Sequence, residues 1–250
     1  MVIYSQKFLG YLILVVASMV GSFSLLLFGF FLFGDSFTVV DLGYSRIGVL
    51  VWDSLLCLMF FAQHSTMIRK AFRHRLTAIV PHPFQGALYA VASGAVLIVI
   101  VLFWQNTEQT LISLQGNSRW VAHGVFFASL IGMMWGMRAL RSFDMFGIQP
   151  ILAHIRASHV RAMPLTIRGP YRWVRHPLYF FMLVLIWCCP DVTMDRLLFN
   201  VLFTAWIVLG TLLEERDLIA EFGETYLNYQ RKVPMLIPWK LLKPLKSSRV

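Results

Sequence analysis

The sequence predicts an all-α, polytopic integral membrane protein, and three observations carry that prediction. Apolar residues make up 58% of the 250-residue chain and charged residues only 14%, well away from soluble domains. Several apolar runs approach or exceed the roughly 20 residues with which a helix spans a bilayer. The cations are also sorted by side. If the N-terminus is cytoplasmic and every segment crosses, 19 of the 22 Lys/Arg fall inside and three (Arg46, Arg119 and Arg196) outside. The net charge of +10 is therefore spread over cytoplasmic loops, as topology and anionic lipid require, which excludes a nucleic-acid surface.

The elements follow in order. Phe8 to Gly34 is too long for a signal-peptide core and lacks a small-residue cleavage pattern, so a membrane helix is expected over about 8–33. Further helices are expected over 46–66, 84–104 and 120–140, completing a four-helix N-terminal membrane region, 1–140. The C-terminal region, 141–250, follows without a linker that would mark a second domain, so the chain reads as one integrated domain. A fifth apolar run, 178–189, is stopped by Cys188-Cys189-Pro190-Asp191, and a sixth covers 196–213. Twelve helical residues reach only about 18 Å against a hydrocarbon thickness of about 30 Å. Either the fifth helix begins earlier and draws Arg175 and His176 to the interface, or 178–213 is a shallow hairpin. Pro177 suits a first helical turn, where its missing N–H is harmless.

Glu214 and Glu215 follow the sixth run. Carboxylates at a helix C-terminus oppose its dipole, so the helix is expected to continue through the acidic stretch. Leu218, Phe222, Tyr226 and Tyr229, at spacings of four, four and three, then form an amphipathic face, and Val233-Pro234 ends it. By itself such an element is a helix lying along the cytoplasmic leaflet. The preceding stretch "GPYRWVRHPLY", residues 169–179, points further. Its Arg172, Arg175 and His176 return to the same membrane side as the carboxylates through a helical hairpin. Cations, carboxylates and aromatic faces together suit a zwitterionic, cationic, adenine-bearing ligand such as S-adenosyl-L-methionine.

Ionisable residues inside membrane helices are functional candidates. Asp53 and His64, eleven residues apart, share one face of the second helix and are candidate substrate-pocket residues. The alternative is that Gln63, His64 and Ser65 serve the helix end. Haem ligation by His64 and His123 is disfavoured because the two lie at opposite depths. His74, His82, His154 and His159 sit in loops without metal spacing, and Cys57, Cys188 and Cys189 lie in apolar runs, so no metal site is expected.

The motif pair "GPYRWVRHPLY" and "EERDLIAEFGETYLNYQRKVP", joined by a hairpin, resembles the C-terminal core of the isoprenylcysteine and phospholipid methyltransferase superfamily. "FFAQHSTMIRKAF" (60–72), "LYAVASG" (88–94) and "LFWQ" (102–105) resemble its nurim-like branch, which includes bacterial methanethiol S-methyltransferases and NnrU-like proteins. The resemblance implies S-adenosylmethionine contacts from Tyr171, His176, Pro177, Leu178, Tyr179, Glu214 and Glu215, with Met163 to Thr166, and Leu165 and Thr166 in particular, as a further strand of the pocket. It also implies catalytic roles for His176 and Arg175. Prenylcysteine enzymes carry a substrate-reading arginine one turn before the matching glutamate; this chain has Gly210 there. The expected activity is therefore S-methylation of a small thiol such as methanethiol, with His176 either holding the cofactor carboxylate or deprotonating the acceptor. The alternatives are a non-enzymatic nurim-like membrane protein, or methylation of a prenylcysteine or other lipophilic acceptor. The expected setting is the bacterial inner membrane among its lipids, with both termini and the cofactor site cytoplasmic.

Overall fold

The computed structural model describes residues 2–34, 38–140, 143–158 and 165–239, with side chains from Lys7 onward. His159, Met163, Pro164 and the C-terminal cations of 240–250 lie outside the described residues. In chain order the helices are α1 (Val2–Phe33), α2 (Arg46–Ile68), α3 (Lys70–Leu76), α4 (Gln85–Phe103), α5 (Gly116–Ala139), α6 (Ile148–Ile155), α7 (Pro177–Trp187), α8 (Met194–Phe222) and α9 (Glu224–Lys232). Strands β1 (Thr110–Ser113) and β2 (Asp191–Thr193) are the sole sheet among the described residues. Five helices are long and apolar enough to cross a membrane: α1 from Lys7, α2, α4 with the turn before it, α5 and α8. The protein is all-α and polytopic.

The described residues divide into two compact units, Met1–Glu108 with Asp144–Ala162, and Gln109–Phe143 with Met163–Val250. In the first, Gly94 on α4 lies against Ser24 and Val20 of α1, where a Cβ would come within 3.0 Å of Ser24 Oγ. At one end Trp52 Nε1 donates to Phe103 O at 3.0 Å and Gln105 N donates to Asp53 Oδ1 at 3.1 Å, tying α2 to the end of α4. At the other end α6 covers Ala17 and Ala87 with Ile151. Asp144 caps α6 by accepting from the backbone N–H groups of Ile148 and Gln149. Gly147 precedes that helix at φ +68°, and a Cβ there would sit 2.4 Å from backbone atoms of Gly86 and Ala87, so only glycine fits.

In the second unit α5 packs on α7 through small residues. Added Cβ atoms would meet Phe181 at Gly132 and Leu178 at Gly136, each within 2.7 Å. α7 starts at Pro177, with His176 as its N-cap, and its eleven residues do not extend upstream. Beyond α7 the chain enters a two-stranded antiparallel ladder, β1 with β2, that the sequence did not predict. Arg119 pairs with Asp191 at 2.6 Å beside it. Thr193 Oγ1 accepts from Arg196 N and starts α8. The helix continues through the acidic stretch as expected, to Phe222. The expected uninterrupted run to Lys232 is broken, however, at Gly223, whose φ of +54° and ψ of −133° only glycine readily adopts. α9 therefore takes a new direction, and ends at Val233 as expected.

Candidate active site

The centre of the second unit's polar chemistry is Glu215. Arg175 Nε and Nη2 donate to its two carboxylate oxygens at 2.8 Å each, a bidentate pair. His176 Nε2 lies 2.6 Å from Glu215 Oε1, and Tyr226 Oη donates to the same oxygen at 2.7 Å. Gln230 Nε2 donates to Oε2. Five donors converge on two oxygens, and only the ionised, acceptor-only carboxylate takes all of them. His176 must then carry its proton on Nε2. The imidazole is thereby oriented, as a base in a triad is oriented by its carboxylate.

The same segment is fixed from its backbone. Arg175 N donates to Pro234 O at 2.9 Å and His176 N to Met235 O at 3.1 Å. Arg175 Nη1 also donates to Gln230 O, at 3.2 Å, and to Val233 O. With every nitrogen of its guanidinium engaged inside the unit, Arg175 positions Glu215 and the 233–235 segment. Tyr226, Tyr229 and Val233 form a buried cluster, with Leu165, Ile167, Leu218, Ile219 and Phe222 packed against it. Tyr229 donates to Tyr171 O, which anchors the "GPYR" turn. Burial first, and then the hydrogen bond to Glu215, raise the Tyr226 phenol; burial also leads the rise at Tyr229. Both hydroxyls therefore remain donors at physiological pH.

Glu214 differs from its neighbour. Its side chain is 43% exposed, whereas that of Glu215 is 8% exposed. Tyr179 Oη donates to Glu214 Oε2 at 2.7 Å. The Tyr179 ring stacks on His176, centroids 5.7 Å apart and 18° from parallel. His176 Nδ1, the nitrogen facing away from Glu215, is 3.9 Å from Glu214 Oε2, beyond a hydrogen bond. Burial first, then the Glu214 charge, raise the Tyr171 phenol, which places that ring in the carboxylate's field. Half-exposed Glu214 and the rings of Tyr179 and Tyr171 thus stand beside the buried imidazole of His176, which brings a carboxylate, an imidazole nitrogen and aromatic faces together.

The structure brings together Tyr171, Arg175, His176, Pro177, Tyr179, Glu214 and Glu215. Leu165 belongs to the buried cluster beneath, Thr166 follows it, and Leu178 faces Gly136 of α5. Asp53 and His64 lie in the first unit. Asp53 is fully buried on Gln105, and His64 Nε2 lies 2.6 Å from Tyr89 Oη, with its ring tilted against Phe60 at a centroid distance of 5.1 Å. Sequence reasoning missed Gln230 and the role of Tyr226 as a partner of Glu215. Tyr226 reaches Glu215 only because the chain breaks at Gly223; along one continuous helix the eleven intervening steps would hold the two about 16 Å apart, so no spacing in the sequence signals the pair.

Comparison with known proteins gives three kinds of match. The model of the NnrU protein family covers residues 54–235. Methanethiol S-methyltransferase of Pseudomonas deceptionensis is 34% identical over 196 residues, 76% of this chain and 72% of its own length. Methanethiol S-methyltransferase 2 of Bradyrhizobium diazoefficiens is 32% identical over 201 residues, 80% and 78% of the two chains. Nurim of Mus musculus is more distant, 25% identical over 189 residues and 70% of each chain. No solved structure matches the chain.

Proposed function

The chain belongs to the NnrU family, and from that premise we propose that it is a membrane methyltransferase that uses S-adenosyl-L-methionine to S-methylate a small thiol such as methanethiol. Relatives above 30% identity over most of the chain carry the name methanethiol S-methyltransferase, which supports the reaction class. The observation that carries the site is the division between Glu215, buried under five donors, and Glu214, half-exposed beside His176 and Tyr179.

The residues present fit the cofactor's chemistry. Glu214 would accept from its ammonium or ribose hydroxyls, and the Tyr171 and Tyr179 faces would lie against its cationic and aromatic parts. Bound S-adenosylmethionine supplies an electrophilic methyl on a sulfonium. The chain's part is alignment and exclusion of water, which reduce the barrier without a covalent enzyme intermediate. Glu215 holds His176 with its proton on Nε2, so Nδ1 keeps the lone pair. That nitrogen takes the acceptor's proton, or once protonated holds the cofactor carboxylate. Arg175 fixes Glu215 and does not touch the reacting atoms.

We place the site and both termini on the cytoplasmic side of a bacterial inner membrane, on the 19-to-3 distribution of lysine and arginine. A single cysteine at exposed Lys232 should resist membrane-impermeant labelling in intact cells and react after permeabilisation; efficient labelling from outside would reverse the topology.

Acceptor choice follows from Gly210. A Cβ there would meet nothing within 4 Å, so the glycine is not demanded by packing, and it offers no charge to an acceptor carboxylate. An unpaired buried charge is worth several kcal/mol of penalty, roughly a hundred-fold or more in rate for an acidic acceptor. Purified protein with labelled cofactor should methylate methanethiol and short thiols, and prenylcysteine carboxylates little. An alkali-labile methyl ester on the prenylcysteine, with thiols untouched, would leave a methyltransferase but reject the thiol assignment.

A further inference from the structure

The first unit contains an open cavity of about 340 Å³ lined by Ser65, Thr66, Arg69, Ala71, Phe72 and Arg75, where α2 ends and α3 begins. We infer that this cavity is a binding site for the phosphate of an anionic membrane-lipid headgroup. Its charge is one-sided. Arg69, Lys70, Arg73 and Arg75 fall within seven residues, and the sequence from Ser54 to Thr107 contains no aspartate or glutamate.

The frame that holds these groups is built. Arg69 leaves helical geometry at φ −69° and ψ +136°, which ends α2 and starts α3 in a new direction. Buried Gln85 then ties down the far side of the turn. Its Nε2 lies within 3.2 Å of Arg73 O, Thr77 Oγ1 and Val80 O. These bonds fix the end of α3 and the turn after it, next to the segment that lines the cavity.

The lining chemistry matches a phosphodiester attached to an apolar body. A guanidinium presents paired donors to phosphate oxygens, and exposed Arg75 is one of the residues that line the cavity. The hydroxyl of Thr66 adds a short-range donor. Phe72, Ala71 and the aliphatic stems of the arginines supply an apolar surface beneath them. Ile68 and Ile79 flank the turn at 54% and 83% exposure. Isoleucines that open suit contact with acyl chains, and a free aqueous phosphate has no use for them. α2 and α4, which the turn joins, are both candidate membrane spans, so the cavity sits where lipid headgroups lie.

The test uses the full-length protein purified in a neutral detergent. Native mass spectrometry and thermal unfolding are read after addition of dioleoylphosphatidylglycerol, dioleoylphosphatidylcholine or sodium phosphate. Wild type should hold phosphatidylglycerol adducts and gain thermal stability from that lipid, and gain little from the other two. Arg75→Gln should weaken phosphatidylglycerol binding about tenfold. Arg75→Lys should recover part of it, and Lys232→Gln, which removes the same charge elsewhere, should bind as wild type. Unchanged thermal unfolding of the variants without added lipid separates lost binding from lost fold. If Arg75→Gln does not fold, Thr66→Val gives a second reading, with an expected loss of a few-fold. Equal binding of phosphatidylcholine, or undiminished phosphatidylglycerol binding by Arg75→Gln, overturns the site. Stabilisation by sodium phosphate equal to that by phosphatidylglycerol reassigns it to a soluble anion and overturns the lipid assignment.

Discussion

Replacing Glu215 with glutamine should cost the protein several kcal/mol of stability, the largest such loss expected at the site. Glu215 pairs with Arg175 where both side chains are 10% exposed or less, and it also accepts from His176, Tyr226 and Gln230. Glutamine keeps one acceptor oxygen and turns an NH₂ group against donors. The guanidinium is left buried without its counter-charge, an effect of about 3–5 kcal/mol. For a chain of this length that corresponds to a fall of about 10 °C or more in the unfolding midpoint. The loss extends beyond one residue, because Arg175 also holds the backbone at Gln230 and Val233. Tyr226→Phe, which removes a single donor, should lose only about 1 kcal/mol. Detergent-purified variants followed by thermal unfolding and gel-filtration yield check this ordering. A Glu215→Gln protein as stable as wild type would show that the five-donor arrangement does not hold the unit together.

Glu214→Gln should do the reverse. Its carboxylate is half-exposed and receives one side-chain hydrogen bond, from Tyr179, so the unfolding midpoint should move by no more than a degree or two. Activity should fall sharply, because a charge-assisted contact to the cofactor is worth about 1.5–3 kcal/mol, roughly ten- to a hundred-fold in cofactor affinity. Glu221→Gln, an exposed carboxylate two turns further along α8, should leave both quantities unchanged. Kinetics at varied cofactor concentration separate an affinity loss from a loss of turnover. Equal effects of the Glu214 and Glu221 changes would move the pocket elsewhere.

The contrast between neighbouring glutamates shows what the sequence holds and what it does not. Successive helical residues point about 100° apart, so one of "EE" can face the interior and the other solvent. Which is which depends on where Arg175 and α9 pack, and that depends on the break at Gly223. A glycine inside an amphipathic pattern reads as a tolerated weakness, and its positive φ is set by tertiary packing. The long helices were legible because each is an apolar run that must satisfy its own backbone. The β1–β2 ladder was not. Its four and three residues, "TLIS" and "DVT", are too short to show a period, and the pairing spans about eighty residues of sequence. The motif segment itself was legible by residue type. What escaped was its backbone pairing with Pro234 and Met235, which no side-chain pattern encodes.

The most direct test of the central claim is titration of S-adenosylmethionine, and of its demethylated product, into the detergent-purified wild-type protein and the Glu214→Gln variant by calorimetry. The account predicts saturable wild-type binding and affinity weaker by roughly ten- to a hundred-fold in the variant at unchanged stability. Absence of wild-type binding at near-millimolar cofactor, from protein that unfolds cooperatively, would contradict it.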